Sequence, residues 1–453
     1  MRKKLTHGLS ALLVLIMLTC SVFSMTSCSI LIDALINSDK YEGQGSSEEG
    51  DGNGEGSGSS GESGSGDSAS GGSGEGDSGS GDENAAPDYY PGDFDSDGVA
   101  DAYRPLLSAV RIVSNHRKYS GYDYDYGSDD QTYPYIVNGS GVIYKLDKEK
   151  GDAYVITNYH VVYHKDSVMK DHVSEDIEIY LYGQEDERYK ISAKFIGGSL
   201  TQDLAVLRIS GSDVLKNSNA VPASIRSSET VRLMEEVIAV GNPEGMGISV
   251  TEGIISVDSE WLKMVGADNR TSLNLRVMRI SAAINEGNSG GGLFDGDGKL
   301  VGIVNAKRTG SEVDNIAYAI PIDLAKSIAD AIISQCDGDT VTSFKKCLLG
   351  VTIDAKSLGL SVDSESGAII KMEEVTVTAV DPSSALSGKI GVNDIVHAVS
   401  VDGELVEVTR KHHVTDHLLK AREGSEIILH VTRGQYNLSI TVTVTADMLV
   451  SVK

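Results

Sequence analysis

Short apolar runs, separated by turns rich in Gly, Asn and Asp, make up the chain from about residue 136 onward. These runs are Ile136–Val142, Ala153–Thr157, Ile177–Tyr182, Ala193–Ile196, Leu204–Ile209, Val237–Val240, Gly253–Val257, Val277–Ile280, Leu300–Val304 and Ala317–Ile320. Their length and spacing predict the strands of an all-β barrel or sandwich. A helix is predicted next, from Pro321 to Ile333, with proline in its first turn.

Polar residues around Cys336–Ser343 indicate a boundary after this helix. The tail from Cys347 onward is again rich in strand patterns, with one helix-like stretch near Val414–Ala421. We therefore expect one folded domain over residues 104–335 and a second over 345–448.

The N-terminus predicts export. Arg2, Lys3 and Lys4 precede the apolar run Ala11–Leu18, which is too short to span a bilayer, so residues 1–27 are interpreted as a secretory signal. The small residues before Cys28 resemble a bacterial lipobox, which predicts lipidation at Cys28 and a lipid-anchored protein at the extracytoplasmic face of the bacterial membrane. The alternatives are plain secretion and an uncleaved anchor.

Residues 28–103 are predicted to be a disordered acidic tether. Residues 43–86 are nearly all Gly, Ser, Glu, Asp and Asn, with almost nothing apolar to bury. Sixteen Asp and Glu and no Lys or Arg lie between Tyr41 and Tyr103, so this segment carries more than half of the net charge of -27. An acidic surface repels phosphate, which excludes nucleic acid as a partner.

Three candidate sites are each weighed against a simpler interpretation. Asp93, Asp95, Asp97 and Asp101 match the start of a calcium loop, but Arg104 replaces the expected bidentate Glu, so an acidic linker end is the alternative. The second candidate is a metal-binding helix face formed by His413 and His417 with His412 and Asp416, and its alternative is a solvated helix face. The third candidate is a disulfide between Cys336 and Cys347, and its alternative is two free thiols.

A nucleophile is predicted at Ser289, within the Gly-flanked turn Asn285–Gly291. Glycine permits positive φ and close approach to substrate, and such a turn lets the N–H groups of Gly287 and Ser289 point to one oxyanion. Gly76–Gly79 reads Gly-Asp-Ser-Gly and matches the trypsin signature. It lies in low-complexity sequence that cannot fix a geometry, so Ser78 is discounted.

A serine nucleophile needs a base and an orienting carboxylate. His160 ends a predicted strand at a polar turn, and Asp203 stands just before the apolar run Leu204–Ile209. We predict a triad of His160, Asp203 and Ser289. The other histidines are interpreted as solvated or satisfied side chains.

Six segments together resemble one protease family. They are Gly139–Ile143, Thr157–Val162, Asp203–Leu207, Gly241–Pro243, Gly253–Ser256 and Ala282–Gly291. In this order they are similar to the HtrA/Deg family of trypsin-like proteases over about residues 136–333. The resemblance implies a chymotrypsin/trypsin-like double β-barrel with six strands in each barrel, polypeptide substrates, no required cofactor, and a homotrimer that nothing else in the sequence specifies.

The C-terminal 345–448 segment resembles the PDZ domain of the same family. A PDZ domain binds an extended peptide as an added strand and holds its C-terminal carboxylate in a loop of N–H groups. By position, that loop is Leu348, Leu349, Gly350 and Val351. The alternative is a β-rich structural appendage.

The resemblance also places Ala283 at the bottom of the primary specificity pocket, with Ile284 and Asn285 beside it. A small uncharged residue there predicts cleavage after small or medium aliphatic residues. Three residues depart from the family pattern without touching the triad, namely Ser281, Glu286 and Gly292. They leave open whether the oxyanion turn rests in a competent shape.

The predicted function is that of a serine endopeptidase that acts on exported, misfolded proteins through an acyl-enzyme intermediate. The PDZ domain is predicted to bind peptide C-termini or to regulate the protease. The alternatives are a catalytically silent chaperone or peptide-binding surface protein, and a structural stalk. The stalk leaves the six motifs unexplained.

Overall fold

The computed structural model describes residues 101–119, 132–307, 316–336, 342–364 and 367–451. The predicted signal peptide, Cys28, the acidic tether, Ser78 and the carboxylates of Asp93, Asp95 and Asp97 lie outside the described residues. Asp101 is described in its backbone alone, as the first residue of a 3-10 turn, Asp101–Tyr103.

The first β-barrel has six strands in the order β5-β4-β1-β2-β3-β6, and it closes because β5 also pairs with β6. The strands are β1 Ala109–Tyr119, β2 Thr132–Asp147, β3 Asp152–Thr157, β4 Asp176–Leu181, β5 Ile191–Ser199 and β6 Leu204–Ile209. Val110, Ile143, Val155 and Leu207 are fully buried inside this barrel because alternate residues of a strand point to the same side.

The second β-barrel is closed in the order β10-β11-β12-β9-β8-β7. Its strands are β7 Glu236–Gly241, β8 Ser249–Val265, β9 Ser272–Ile280, β10 Gly292–Asp295, β11 Leu300–Lys307 and β12 Ala317–Pro321. Its interior is apolar and includes Ile255, Met278, Leu293 and Val301.

Five α-helices are described: α1 Arg104–Ser108, α2 Tyr159–Val162, α3 Asp213–Lys216, α4 Ile322–Gln335 and α5 Lys411–His417. The helix α4 is the longest of these, and it buries Leu324, Ile328 and Ile332 in a core shared with both barrels. It therefore fixes one barrel against the other.

A third, C-terminal sheet has the order β15-β16-β17-β19-β20, with β18 paired to β17. The remaining strands are β13 Thr342–Ser343, β14 Lys345–Cys347, β15 Val351–Val362, β16 Ile369–Val380, β17 Ile395–Val401, β18 Glu404–Glu407, β19 Glu426–Arg433, β20 Tyr436–Thr443 and β21 Leu449–Ser451. This sheet has its own apolar core, around Val377, Val399 and Ile427. The described part of β15 pairs only with β16, so β15 is an edge strand.

The two six-stranded barrels confirm the all-β double-barrel prediction, and every predicted apolar run overlaps a strand. The prediction that the first barrel strand begins near Ile136 was wrong, because Ala109–Tyr119 precedes it and pairs with Thr132–Asp147. Pro321 ends a strand and caps the helix rather than standing in its first turn, which suits a residue whose ring fixes φ and lacks an N–H.

Cys336 and Cys347 are not joined by a disulfide, and Cys347 is buried. No helix in the described ranges is long and apolar enough to cross a membrane.

Candidate active site

His160 and Asp203 come together at one end of the first barrel. His160 lies in α2, directly after strand β3, and Asp203 stands immediately before strand β6. Because β3 and β6 are hydrogen-bonded neighbours, their adjoining turns are neighbours too. The His160 Nδ1 atom lies 2.7 Å from Asp203 Oδ2, and the His160 backbone N–H donates to Asp203 Oδ1 over 3.0 Å.

The Asp203 carboxylate is held from several directions. Its side chain is 6 % exposed, and its backbone has a φ of 49°, a left-handed conformation that Asp tolerates better than most residues. The Asn158 side-chain amide donates to the Asp203 carbonyl over 2.9 Å. The Asn305 amide donates to Asp203 Oδ2 over 2.6 Å. This carboxylate therefore has one fixed orientation toward the imidazole.

Burial disfavours the charged His160 ring, but the negative charge of Asp203 and its hydrogen bond outweigh that cost. Together they raise the pKa of His160 above its usual 6.5. An Nδ1–H donated to a carboxylate leaves Nε2 with a lone pair, which is the form a general base needs.

Ser289 lies in the turn between strands β9 and β10 of the second barrel. Its hydroxyl donates to the backbone carbonyl of Asn305 over 2.8 Å. Within the described ranges, Ser289 makes no hydrogen bond with the His160 ring, and its hydroxyl proton points to Asn305 instead.

Asn305 was not predicted as a site residue, yet it contacts two members of the predicted triad. Its carbonyl holds Ser289 and its amide holds Asp203, and its side chain is buried. The available sequence signal is a polar residue directly after the wholly apolar run Leu300–Val304.

The turn that carries Ser289 leaves two backbone donors without an acceptor in the described structure. The Glu286 carbonyl accepts from the Glu244 N–H over 2.8 Å, and a trans peptide places the next N–H on the opposite side from that carbonyl. In the described part of the chain, the N–H groups of Gly287 and Ser289 donate no hydrogen bond. Both remain available to an oxyanion.

Glycine is required at two positions of this turn. Gly287 has a φ of 94°, and an added Cβ would lie 2.2 Å from the Asn242 carbonyl oxygen. Gly290 has a φ of 87°, and an added Cβ would lie 2.2 Å from the Ser140 carbonyl oxygen. Any larger residue would displace the backbone that carries Ser289.

Ser140, on strand β2 of the first barrel, joins the two barrels beside Ser289. Its N–H donates to the Ser289 carbonyl over 2.9 Å, and its hydroxyl donates to the Gly287 carbonyl over 2.6 Å. The Asn242 N–H donates to the same hydroxyl over 2.8 Å. These contacts fix the distance between the turn that carries Ser289 and the barrel that carries His160.

The predicted pocket residues lie just before this turn. Ala283 is exposed, and its carbonyl accepts from the Thr251 hydroxyl over 2.9 Å, whereas Ile284 is buried. Asn285 is exposed and its carbonyl accepts from the Asn288 N–H over 3.1 Å. Among the three departures from the family pattern, Ser281 contributes a hydroxyl that accepts from the Ile254 N–H over 2.9 Å.

The predicted carboxylate loop leads into edge strand β15. Leu348 is half exposed and Leu349 is buried, and the Leu349 carbonyl accepts from the Ser384 hydroxyl over 2.6 Å. Gly350 has a φ of 66°. Among the described residues, the N–H groups of Leu349 and Gly350 have no hydrogen-bond acceptor.

Known proteins match the part of the chain that holds this site. The family model of the trypsin-like peptidase domain matches residues 139–303. The chain is 36 % identical over 245 residues to the serine protease Do-like HtrA of Bacillus subtilis (strain 168), which covers 53 % of this chain and 50 % of that protein.

Two further proteins are similar to the chain. The serine protease Do-like HtrB of Bacillus subtilis (strain 168) is 34 % identical over 242 residues, covering 53 % of this chain and 48 % of that protein. A solved structure of the HtrA-type protease AlgW with a decapeptide has a TM-score of 0.47 and 22 % identity, over 76 % of this chain and 97 % of that one.

The chain spans about half the length of the curated relatives it matches. Residues 139–303, which the family model matches, contain His160, Asp203 and Ser289, and the structure brings the first two into contact at the ends of neighbouring strands. Residues 139–303 therefore match the trypsin-like peptidase domain, and the chain is similar over about half of its length to serine proteases of the HtrA type.

Proposed function

We propose that this protein is a serine endopeptidase that hydrolyses peptide bonds of exported, misfolded polypeptides, with Ser289 as nucleophile, His160 as base and Asp203 as the orienting carboxylate. The observation that carries the proposal is the His160–Asp203 hydrogen bond of 2.7 Å beside a serine turn whose two N–H groups lack an acceptor in the described structure. This pairing supplies a base and an oxyanion site together.

The proposed reaction begins with a rotation of the Ser289 hydroxyl away from the Asn305 carbonyl. Oγ attacks the substrate carbonyl carbon as His160 Nε2 takes its proton, and the carbonyl oxygen becomes an oxyanion facing the Gly287 and Ser289 N–H groups. Asp203 stabilises the resulting imidazolium.

The C–N bond then breaks and His160 returns its proton to the leaving amine, which leaves an acyl-enzyme at Ser289. A water molecule attacks this ester, giving one proton to His160 and its oxygen to the acyl carbon. The ester bond breaks and Oγ regains the proton, so atoms and charge balance over the cycle.

Labelling with a fluorophosphonate tests this assignment, because the reagent reacts with an activated serine. We expect the full chain to be labelled stoichiometrically, Ser289→Ala to remain unlabelled, and Ser78→Ala to be labelled like the wild type. Ser78→Ala is the matched control, because Ser78 lies in the Gly-Asp-Ser-Gly segment that matches the trypsin signature. An unlabelled wild type would contradict the enzyme assignment and favour the peptide-binding alternative.

For specificity, we propose that the primary pocket accepts small or medium aliphatic side chains. The support is the uncharged Ala283, since a preference for Lys or Arg would need an acid at the base of the pocket. Cleavage of a peptide library should give Val, Ala, Ile or Leu before the scissile bond. Arg or Lys dominating that position would overturn the proposal.

We further propose that residues 345–448 form a PDZ domain that binds peptide C-termini. The support is edge strand β15, preceded by a loop in which the Leu349 and Gly350 N–H groups lack an acceptor among the described residues. An edge strand offers backbone groups to an added strand, and two free N–H groups suit a carboxylate.

A pair of peptides tests this loop. In the Ser289→Ala chain, which cannot cleave its ligand, a fluorescent peptide with a free C-terminal carboxylate should bind about 10- to 100-fold tighter than its amide, because hydrogen bonds to a charged group contribute about 1.5–3 kcal/mol. Equal fluorescence-anisotropy titrations for acid and amide would rule out the carboxylate loop.

The rest of the chain completes the proposal. We propose a protease domain over residues 104–335, a signal segment over 1–27, lipidation at Cys28, and an acidic tether over 28–103 that holds the enzyme outside the cytoplasm at the membrane. A trimer, as the family resemblance implies, is proposed as the oligomeric state, and a mass measurement in solution checks it.

A further inference from the structure

The C-terminal domain meets the second barrel through a cluster of charged and imidazole side chains. Glu229 comes from the turn Ser228–Thr230, which leads into strand β7, while His412 and His413 come from α5 of the C-terminal domain. These three side chains line a cavity of about 190 Å³ between the two domains. The cluster plays no part in the proposed peptide hydrolysis.

The geometry of the cluster suits a metal ion. Glu229 Oε2 lies 3.0 Å from His412 Nε2 and 3.3 Å from His413 Nε2, and the three ligand atoms lie within 4.8 Å of one another. Metal–ligand bonds of about 2.0–2.1 Å in a tetrahedron give edges of roughly 3.3 Å. The distances from Glu229 Oε2 to the two imidazole nitrogens are therefore close to the ligand–ligand distances of a tetrahedral site.

Neighbouring polar groups hydrogen-bond to these side chains and orient them, as the groups around the ligands of a metal ion do. The Arg276 guanidinium lies 3.1 Å from Glu229 Oε1 and occupies that oxygen, so that Oε2 faces the histidines. His413 Nδ1 lies 3.0 Å from the Glu407 carbonyl and 3.3 Å from the Thr409 backbone N. A proton on Nδ1 can be donated to the nearer of these groups, the Glu407 carbonyl. Nε2 then keeps a lone pair that faces Glu229.

We propose that Glu229, His412 and His413 form a structural metal site that fastens the C-terminal domain to the second barrel. Two imidazoles and one carboxylate favour a borderline divalent transition metal, with Zn²⁺ as the best fit and water as the fourth ligand. His417 takes no part, because its Nε2 lies 2.8 Å from the Glu404 carbonyl.

Zinc titration of the full chain tests the site. All variants carry Ser289→Ala, which prevents self-cleavage, and are freed of metal by dialysis against a chelator before calorimetry with ZnCl2. We expect one Zn²⁺ per chain and a rise in Tm with zinc, since a ligand that binds only the folded state stabilises it. Affinity should fall at least roughly 100-fold in His412→Ala/His413→Ala, because losing even an outer-shell partner costs 10–100-fold.

The matched control is His397→Ala/His430→Ala, which removes two other neighbouring histidines of the same domain, whose ring centroids are 6.4 Å apart. It should bind zinc like the parent chain. Glu229→Gln keeps the size of the side chain and removes its charge, so it tests the site if the double alanine variant fails to fold. No binding by the parent chain, equal binding after both cluster changes, or loss in the control would each overturn the proposal.

Discussion

Replacing Ser289 by Ala is expected to lower kcat on casein and peptide substrates by about 10⁶-fold, because removing the nucleophile of such a triad has an effect of that size. The substitution removes one hydroxyl, whose only hydrogen bond in the described structure is the 2.8 Å bond to the Asn305 carbonyl. Losing that bond should cost only about 0.5–1.5 kcal/mol of stability. The loss of rate can therefore be separated from unfolding by a thermal melt.

A second substitution sharpens this test. His160→Ala should lower kcat about as much as Ser289→Ala, and the double variant should be no slower than either, since triad members act as a unit. Rates measured with a quenched peptide decide the matter. Additive losses, or a Ser289→Ala enzyme within tenfold of the wild type, would place the nucleophile elsewhere.

The turn around Ser289 could be predicted from sequence because its glycines are dictated locally. Gly287 and Gly290 adopt positive φ, and a Cβ atom added to either would lie 2.2 Å from a backbone oxygen, so no side chain fits there. Glu286 left the shape of the turn open at the sequence level. The bond from the Glu244 N–H to the Glu286 carbonyl, which spans two separate loops, is a tertiary contact that no local pattern encodes.

The site residue Asn305 and the first strand, Ala109–Tyr119, were not predicted from the sequence, and the reasons are related. Asn305 acts through partners from both barrels, 16 and 102 residues away along the chain. Strand Ala109–Tyr119 lacks a clear apolar pattern because it buries polar residues, among them His116, whose Nδ1 lies 3.1 Å from the Ser167 hydroxyl. Polar groups that are satisfied in the core erase the alternation on which strand prediction depends.

The histidines of the C-terminal domain show the same limit. Helical spacing predicts that His413 and His417 share a face. The described helix spans only seven residues, Lys411–His417, and Glu229 of another domain approaches His412 and His413 instead. The partner of a side chain at a domain interface is set by docking, which spacing within one helix cannot reveal.

Replacing Asp203 by Asn is expected to lower kcat by about 10⁴-fold while leaving the barrel intact, because the amide no longer fixes the imidazole tautomer. Asp203 Oδ2 now accepts from both His160 and Asn305, over 2.7 and 2.6 Å. An Asn that turns its NH2 toward Nδ1 would place the ring proton on Nε2, where it blocks proton transfer from Ser289. This loss should appear in kcat more than in KM, since Asp203 does not touch the substrate.

The same substitution should shift the pH profile in a defined direction. His160 acts as a base only when neutral, and Asp203 raises its pKa above 6.5, so the acid limb of wild-type kcat/KM should lie above pH 6.5. Without the carboxylate, burial is the dominant influence and favours the neutral ring, so the limb of Asp203→Asn should move to lower pH. Asp213→Asn is the matched control, because it removes one charge from an exposed site of the same domain. A limb that stays in place in Asp203→Asn would show that some group other than His160 controls the rate.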